Sequence, residues 1–176
     1  IINNKHPNIK VPLANQAGLL GGYKIVLVHT DSQGKPDVGK AEAERLINQE
    51  GVWALIGAYN SSVSMPASFV AERAKKIFMC GASSSAALTQ RKDMKFFFRT
   101  ASTDEVESQE FVDVLKWLNK TQKNANIKSL GIIYENSVFG KHAAEEAKKA
   151  AAAGGFAVVA DVPFNPGATN LDSEVQ

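Results

Sequence analysis

The sequence predicts an α/β protein containing two parallel sheets, and three observations carry that reading. Short, near-continuous apolar runs rich in β-branched residues alternate with longer segments of helical periodicity. The runs lack the polar–apolar alternation of a half-solvated sheet, as expected of strands covered by helices on both faces. A break near Thr100 to Ser102 divides the alternation into two series, which predicts a first domain over residues 1–101 and a second over 102–176.

In the first series, residues 23–29 (YKIVLVH) read as a strand entered from Gly21 and Gly22. Turn chemistry follows in residues 31–36 (DSQGKP). Residues 37–50 then place Val38, Ala41, Leu46 and Ile47 on a helix that stops at Gly51. Residues 52–58 (VWALIGA) are the next strand, residues 61–75 a helix with Pro66 in its early part, and residues 77–81 a third strand. Residues 96–99 form a fourth, shorter apolar segment.

In the second series, Ser102 with Glu105 three residues on matches a capping box. Val106, Phe111, Val114, Leu115 and Leu118 supply the apolar face of the helix that follows. Residues 130–135 (LGIIYE) are a strand, residues 139–153 an alanine-rich helix ended by Gly154 and Gly155, and residues 156–162 another strand. Neither end reads as a domain end. Residues 1–4 resemble the last turn of a helix and residues 170–176 a helix just beginning, so the expectation is a fragment of a longer protein.

Composition narrows the function. Hydrophobic residues make up 44% and charged residues 22%, the balance of an ordinary globular protein. Net charge is +2 with the basic residues dispersed, which gives no footprint for nucleic acid or an anionic membrane. No apolar run approaches the roughly 20 residues a membrane helix needs, and no export leader stands at the start. Cys80 is the only cysteine, which excludes an internal disulfide and a multi-cysteine zinc site; its apolar neighbours predict a buried side chain.

Enzyme signatures are missing. Residues 139–141 (FGK) lack the first glycine and the Ser/Thr of a phosphate loop, since Glu135 and His142 stand there. The glycines of residues 18–22 precede a strand, unlike a dinucleotide fingerprint. No zincin, thiol-redox or nucleophile-elbow motif is present. His6, His29 and His142 are scattered, which predicts solvated surface or loop positions. No catalytic set, metal set or cofactor is expected.

Two loops at the carboxyl ends of strands are dense in hydroxyls and small residues, where ligands bind in parallel α/β sheets. Asn60, Ser61 and Ser62 lie in the first, and Ala82, Ser83 and Ser84 in the second. Serine hydroxyls, free amides and a helix N-terminus together suit a carboxylate. The same residues are favoured helix N-caps, and the two roles are compatible because both use the same orphan amides.

The order and spacing of these segments resemble the leucine/isoleucine/valine-binding-protein family from about Tyr23 to Gln176. The resemblance is carried by Ile56-Gly57 with Asn60-Ser61-Ser62, Met65-Pro66-Ala67 and Ala71-Glu72-Arg73-Ala74. It continues through Gly81-Ala82-Ser83-Ser84, Leu88-Thr89 and Phe97-Phe98-Arg99-Thr100. Phe139-Gly140 and Asn165-Pro166-Gly167-Ala168-Thr169 complete it. It implies a type I periplasmic binding protein, whose two Rossmann-like lobes close on a ligand about a hinge near residues 100–102.

By the same resemblance, Ser61 and Ser84 match positions that bind a ligand carboxylate, and the backbone of Ala82 faces the ligand. Phe139 falls where many members place a ligand-contacting tyrosine; a phenyl ring keeps the apolar face and loses the hydroxyl. Cys80-Gly81 replaces a common Ser-Pro pair. The acidic residue that commonly holds the ligand ammonium falls beyond Gln176. The implied function is the extracytoplasmic solute-binding component of an ABC importer. Its partners are an amino acid or small carboxylate and a membrane permease, in the periplasm or at the cell surface. The alternative is a ligand-sensing receptor ectodomain of the same fold.

Overall fold

The computed structural model describes residues 22–172. The expected helical turn at residues 1–4, most of the expected glycine stretch at 18–22, His6 and the end of the helix expected at 170–176 lie outside them. The chain divides into two compact units, Ile1–Thr30 and Asp31–Gln176. In the first unit, the apolar run at residues 23–29 does not form the expected strand. Tyr23 makes an isolated bridge, residues 24–30 carry no regular structure, and Val26 is 80% exposed. A strand is a paired structure, and apolar composition does not by itself supply the ladder.

In the second unit the predicted order of elements is present. Helix α1 (Pro36–Asn48) opens with proline at its first position, where the missing N–H has no helical partner to lose. It buries Gly39, Ala43 and Leu46, a stripe at i, i+4 and i+7, whereas the expected Ala41 faces solvent. Gly39 permits close approach to helix α2 (Ser61–Arg73): a Cβ there would sit 2.4 Å from Val63 Cγ1.

Strands β1 (Ala54–Ile56), β2 (Ile77–Cys80) and β3 (Phe97–Arg99) form one parallel sheet in the order β1-β2-β3. Leu55 pairs with Phe78 and Phe78 with Phe97, a row across the buried face completed by stacked rings 5.6 Å apart. Ala67, Val70 and Ala71 of α2 join that row in one core with Ala43, Leu46 and the buried Cys80. Burying a side chain of leucine or phenylalanine size contributes about 1.5–3 kcal/mol, so this row is a main source of the sheet's stability. The other face is not covered among the described residues: Ile56 is 80% exposed, and Ile77 and Phe98 are also accessible. Burial on both faces, expected from the apolar runs, is therefore not observed.

Helix α3 (Asp104–Thr121), strand β4 (Ser129–Glu135), helix α4 (Val138–Gly154) and strand β5 (Ala157–Phe164) follow. β4 and β5 pair in parallel, with an irregularity between Leu130 and Gly131. The core here is Val112 and Leu115 of α3, Ala150 and Ala151 of α4, and Phe156. The expected apolar face of α3 is corrected accordingly. Leu115 and Leu118 do pack inward, but Val106, Phe111 and Val114 are exposed, as is Trp117 at 57%. Helical spacing fits two overlapping stripes on α3, and contact with α4 selects the one containing Val112.

The capping box is also corrected. Thr103 is the N-cap of α3, and Ser102 donates its hydroxyl to Glu107 Oε1 at 2.5 Å. Helix α4 is capped as its composition allows. Ser137 Oγ accepts from the Gly140 amide at 3.1 Å, and Gly155 ends the helix at φ +82°, a conformation glycine adopts without cost.

Candidate ligand-binding site

The loops after β1 and β2 lie side by side because their strands are adjacent and parallel. The first loop enters α2 at Asn60, whose carbonyl accepts from the amides of Val63 and Ser64, both at 3.0 Å. The Asn60 side chain makes no capping bond. Ser61 is the first helical residue, and its buried Oγ accepts the Ser85 amide at 3.4 Å, a long bond from one loop to the other.

Ser83 ties the loops together more tightly. Its hydroxyl donates to the carbonyl oxygens of Tyr59 at 2.9 Å and Ala58 at 3.1 Å, and its Oγ lies 2.8 Å from Ser64 Oγ. Ser64 Oγ in turn accepts the Ala58 amide at 3.2 Å. The Ser83 amide donates to Cys80 Sγ at 3.3 Å. Burial alone pushes the Cys80 thiol up, but donors from Ser83, Ala82 and Ser64 bring it below its ordinary range.

Behind the second loop stands Arg99. One guanidinium nitrogen donates to the carbonyls of Ser83 (3.3 Å), Ser84 (2.8 Å) and Ser85 (2.8 Å), and the other to Thr89 Oγ1 at 3.1 Å. The Ser84 carbonyl also accepts the Asp104 amide at 3.2 Å, joining the loop to the start of α3. The Ser84 side chain has a different environment. Only 7% of the residue is exposed, yet its hydroxyl has no hydrogen-bond partner among the described residues. The enclosed serine hydroxyl without a partner among the described residues is that of Ser85; the Ser84 oxygen is not enclosed, and Ser84 lines a cavity, where a ligand acceptor would meet its hydroxyl.

A cavity of about 430 Å³ opens onto these groups. Asn60, Ser61, Ala82, Ser84 and Phe139 line it together with Tyr59, Glu107 and Glu135. The structure thus brings together five of the seven residues singled out from sequence. Ser62 and Ser83 are not among its lining residues. Ser62 is half-buried on α2, and the Ser83 hydroxyl is spent on the opposite loop. Phe139 is the second residue of α4 and is partly exposed. Its neighbour Gly140 is held against β4, since a Cβ there would lie 2.0 Å from the Glu135 carbonyl oxygen.

Sequence reasoning missed Tyr59, Glu107 and Glu135. Tyr59 could have been found, for it is the exposed residue inside the very loop that was singled out. Glu107, inside a helix, was not singled out, and Glu135 was read only as the end of a strand. A second cavity of about 510 Å³ shares Glu107, Glu135 and Phe139 with the first and is otherwise mostly apolar. Asp104 also lines it, only 2% exposed, with Oδ2 2.8 Å from His142 Nδ1 and no partner for Oδ1. His142 therefore packs against a buried carboxyl, not in the solvated position expected. Among the described residues no group of three or more acidic, histidine or cysteine side chains is arranged to hold a metal.

Comparison with known proteins follows the same lines. The periplasmic binding protein family matches residues 10–176. The Leu/Ile/Val-binding protein homolog 8 of Brucella abortus (strain 2308) is 31% identical over 172 residues, which are 95% of this chain and 41% of that protein. An ABC transporter substrate-binding protein from Desulfitobacterium hafniense, in complex with Leu, superposes with a TM-score of 0.67 at 24% identity. It matches 89% of this chain and 43% of its own. An ABC transporter solute-binding protein from R. palustris, in complex with 4-hydroxybenzoate, gives a TM-score of 0.73 at 24% identity, over 86% of this chain and 39% of its own. These two likenesses establish the fold. The chain spans about two fifths of the length of each of these relatives.

Proposed function

The chain belongs to the periplasmic binding protein family, and from that premise we propose that it captures a small carboxylate-bearing solute and passes it unchanged to the permease of an ABC importer. The observation that carries this reading is the pair Ser61 and Ser84. They come from two successive loops, line one cavity, and are buried, with the Ser84 hydroxyl unclaimed by protein. The start of α2 at Ser61 adds free amides and the positive end of a 13-residue helix, which favour a carboxylate. Leucine and 4-hydroxybenzoate, the ligands of the two structural relatives, share only that group among their polar recognition elements of like charge.

In this reading residues 1–101 and 102–176 belong to two lobes, and residues 100–102, between β3 and α3, form the hinge. The protein works outside the cytoplasm, in the periplasm or at the cell surface. No cofactor takes part. Thermal shift of the full-length protein against a panel of small carboxylates tests the proposal. A ligand at a hundred times its dissociation constant adds about 2.7 kcal/mol. Mass spectrometry of the released ligand should show it unaltered. A chemically changed product, or no stabilisation by any carboxylate, sinks the proposal.

A further inference from the structure

Asp104 joins three parts of the molecule. Its amide donates to the Ser84 carbonyl at 3.2 Å, its backbone opens α3, and its Oδ2 lies 2.8 Å from His142 Nδ1. His142 stands one helical turn along α4 from Phe139, which lines the cavity with Ser84. A short path of bonded groups therefore leads from the serine loop through a carboxylate to an imidazole.

The carboxylate is enclosed and incompletely satisfied. The Asp104 side chain is 1% exposed and that of His142 18%, and Asp104 Oδ1 has no hydrogen-bond partner among the described residues. A neutral ring compensates such a carboxylate with a single hydrogen bond. A protonated ring supplies a full charge, in a place where water screens little. We propose that His142 is a proton-linked positioning residue: its protonated form, anchored on Asp104, favours capture of the solute carboxylate, so that binding takes up a proton.

The charges around the ring set the sign. From α3, Asp104 is bonded to it and Glu105 is close enough for the two charges to act on each other. On α4 itself the exposed Lys141 is adjacent, and Glu145 and Glu146 follow one turn on, with Glu146 engaged by Lys149. β4 ends in Glu135, which receives the Ser137 hydroxyl, and β5 contributes Asp161, paired with Lys148. α2, which also meets α4, carries its only charges, Glu72 and Arg73, at its far end. Arg99 of β3 is committed to the carbonyls of Ser83, Ser84 and Ser85 and to Thr89. The surroundings are acidic on balance, and an entering carboxylate adds to them. A proton on His142 offsets that charge. By reciprocity, a bound carboxylate makes the ring hold its proton more tightly. The inference rests on the solute-binding role proposed above and adds to it a dependence on pH.

The test is isothermal titration of the full-length protein with the most stabilising compound of the carboxylate panel, L-leucine and 4-hydroxybenzoate included. Titration at one pH in buffers of different ionisation enthalpy reads proton uptake directly. The parent should take up part of a proton near neutral pH. Its affinity should rise about 5-fold or more from about pH 8 to about pH 6, within the range where histidine changes charge. His142→Asn keeps a donor toward Asp104 without a titrating group, so it should bind without this uptake and lose the rise in affinity. Asp104→Asn removes the counter-ion of the charged ring and should move the rise to more acidic pH. A residue that merely supported the fold would change affinity by the same factor at every pH. The inference is overturned if the parent binds without proton uptake, or if uptake is undiminished in His142→Asn. Should that variant not fold, an Asp104→Asn profile identical to the parent's overturns it equally. Either result leaves carboxylate capture standing, whereas failure of every carboxylate to bind removes both proposals.

Discussion

Ser83 Oγ lies 2.8 Å from Ser64 Oγ, so two fully enclosed hydroxyls join the loop after β2 to helix α2. The pair satisfies the Ala58 amide through Ser64 and the Tyr59 carbonyl through Ser83. It fixes the backbone of the loop that presents Tyr59 and Asn60 to the cavity. Positioning is its role.

Ser83→Ala should consequently act on stability. It leaves the part-buried Tyr59 carbonyl without its hydroxyl donor and removes a partner of the buried Ser64, at a cost of about 1–3 kcal/mol. Ser62→Ala, on the same helix but half-buried and without a side-chain hydrogen bond, should stay within about 0.5 kcal/mol. Urea unfolding of the two variants checks this. Equal effects would show that the Ser83 network is not holding the loops.

Asp104 and His142 form the corresponding link between α3 and α4. His142→Ala leaves a 98% buried carboxyl without its remaining hydrogen-bond partner and should destabilise by about 1.5–3 kcal/mol. Asp104→Asn keeps an acceptor for the imidazole and should cost less. Thermal unfolding of both variants distinguishes this from the solvated histidine expected from sequence, for which His142→Ala would be silent.

Much of the first sheet was legible because local signals agreed there. Leu55, Phe78 and Phe97 lie in short apolar runs bounded by turn residues, and each occupies the buried row of the sheet. Residues 23–29 show the limit of that signal, since the same composition without a ladder gives no strand. On α3, Phe111 and Val112 are adjacent in sequence, and only the packing of α4 decides that Val112 turns inward. The serine loops were legible from their hydroxyls, but the division of labour within Ser83–Ser84–Ser85 was not. It depends on Tyr59, which accepts the Ser83 hydroxyl, and on Arg99, which holds the Ser84 carbonyl, both distant in sequence from the serines they organise. Glu107 and Glu135 escaped for the same reason, each being ordinary in its own element and distinctive only in company.

Glu105 provides a test against pH. Burial by itself would raise its pKa. The Thr103 hydroxyl, its own amide and the charges of His142 and Arg99 outweigh that and hold the carboxyl below the usual carboxylate range. A carboxylate depressed on folding contributes stability above its unfolded pKa of about 4.3 and loses it as pH falls through the folded value. Glu105→Gln should therefore melt below the parent protein at neutral pH, with the difference shrinking below about pH 4. A gap that stays constant into acid would mean that the charge of Glu105 is not what stabilises the fold.

Ser61 and Ser84 face the same cavity but are not equivalent, and their alanine variants should differ in a definite way. Ser61 Oγ already accepts the amide of the buried Ser85, so Ser61→Ala removes a ligand donor and leaves that amide unsatisfied. Ser84 Oγ serves no protein group among the described residues and is not enclosed, so Ser84→Ala removes a ligand donor and leaves no protein group unsatisfied. A hydrogen bond to a charged ligand group is worth about 1.5–3 kcal/mol, so either change should weaken binding roughly 10- to 150-fold. Stability should separate them: Ser61→Ala loses about 1 kcal/mol through the long Ser85 contact, while Ser84→Ala stays within about 0.5 kcal/mol of the parent. The double variant need not show the sum, because both hydroxyls act on one carboxylate. Titration with the tightest-binding amino acid, alongside unfolding of each free variant, resolves both quantities. Were Ser84→Ala to bind that ligand as the parent does, the unclaimed hydroxyl would have no part in capture, and the carboxylate would have to rest on the α2 amides and Ser61 alone.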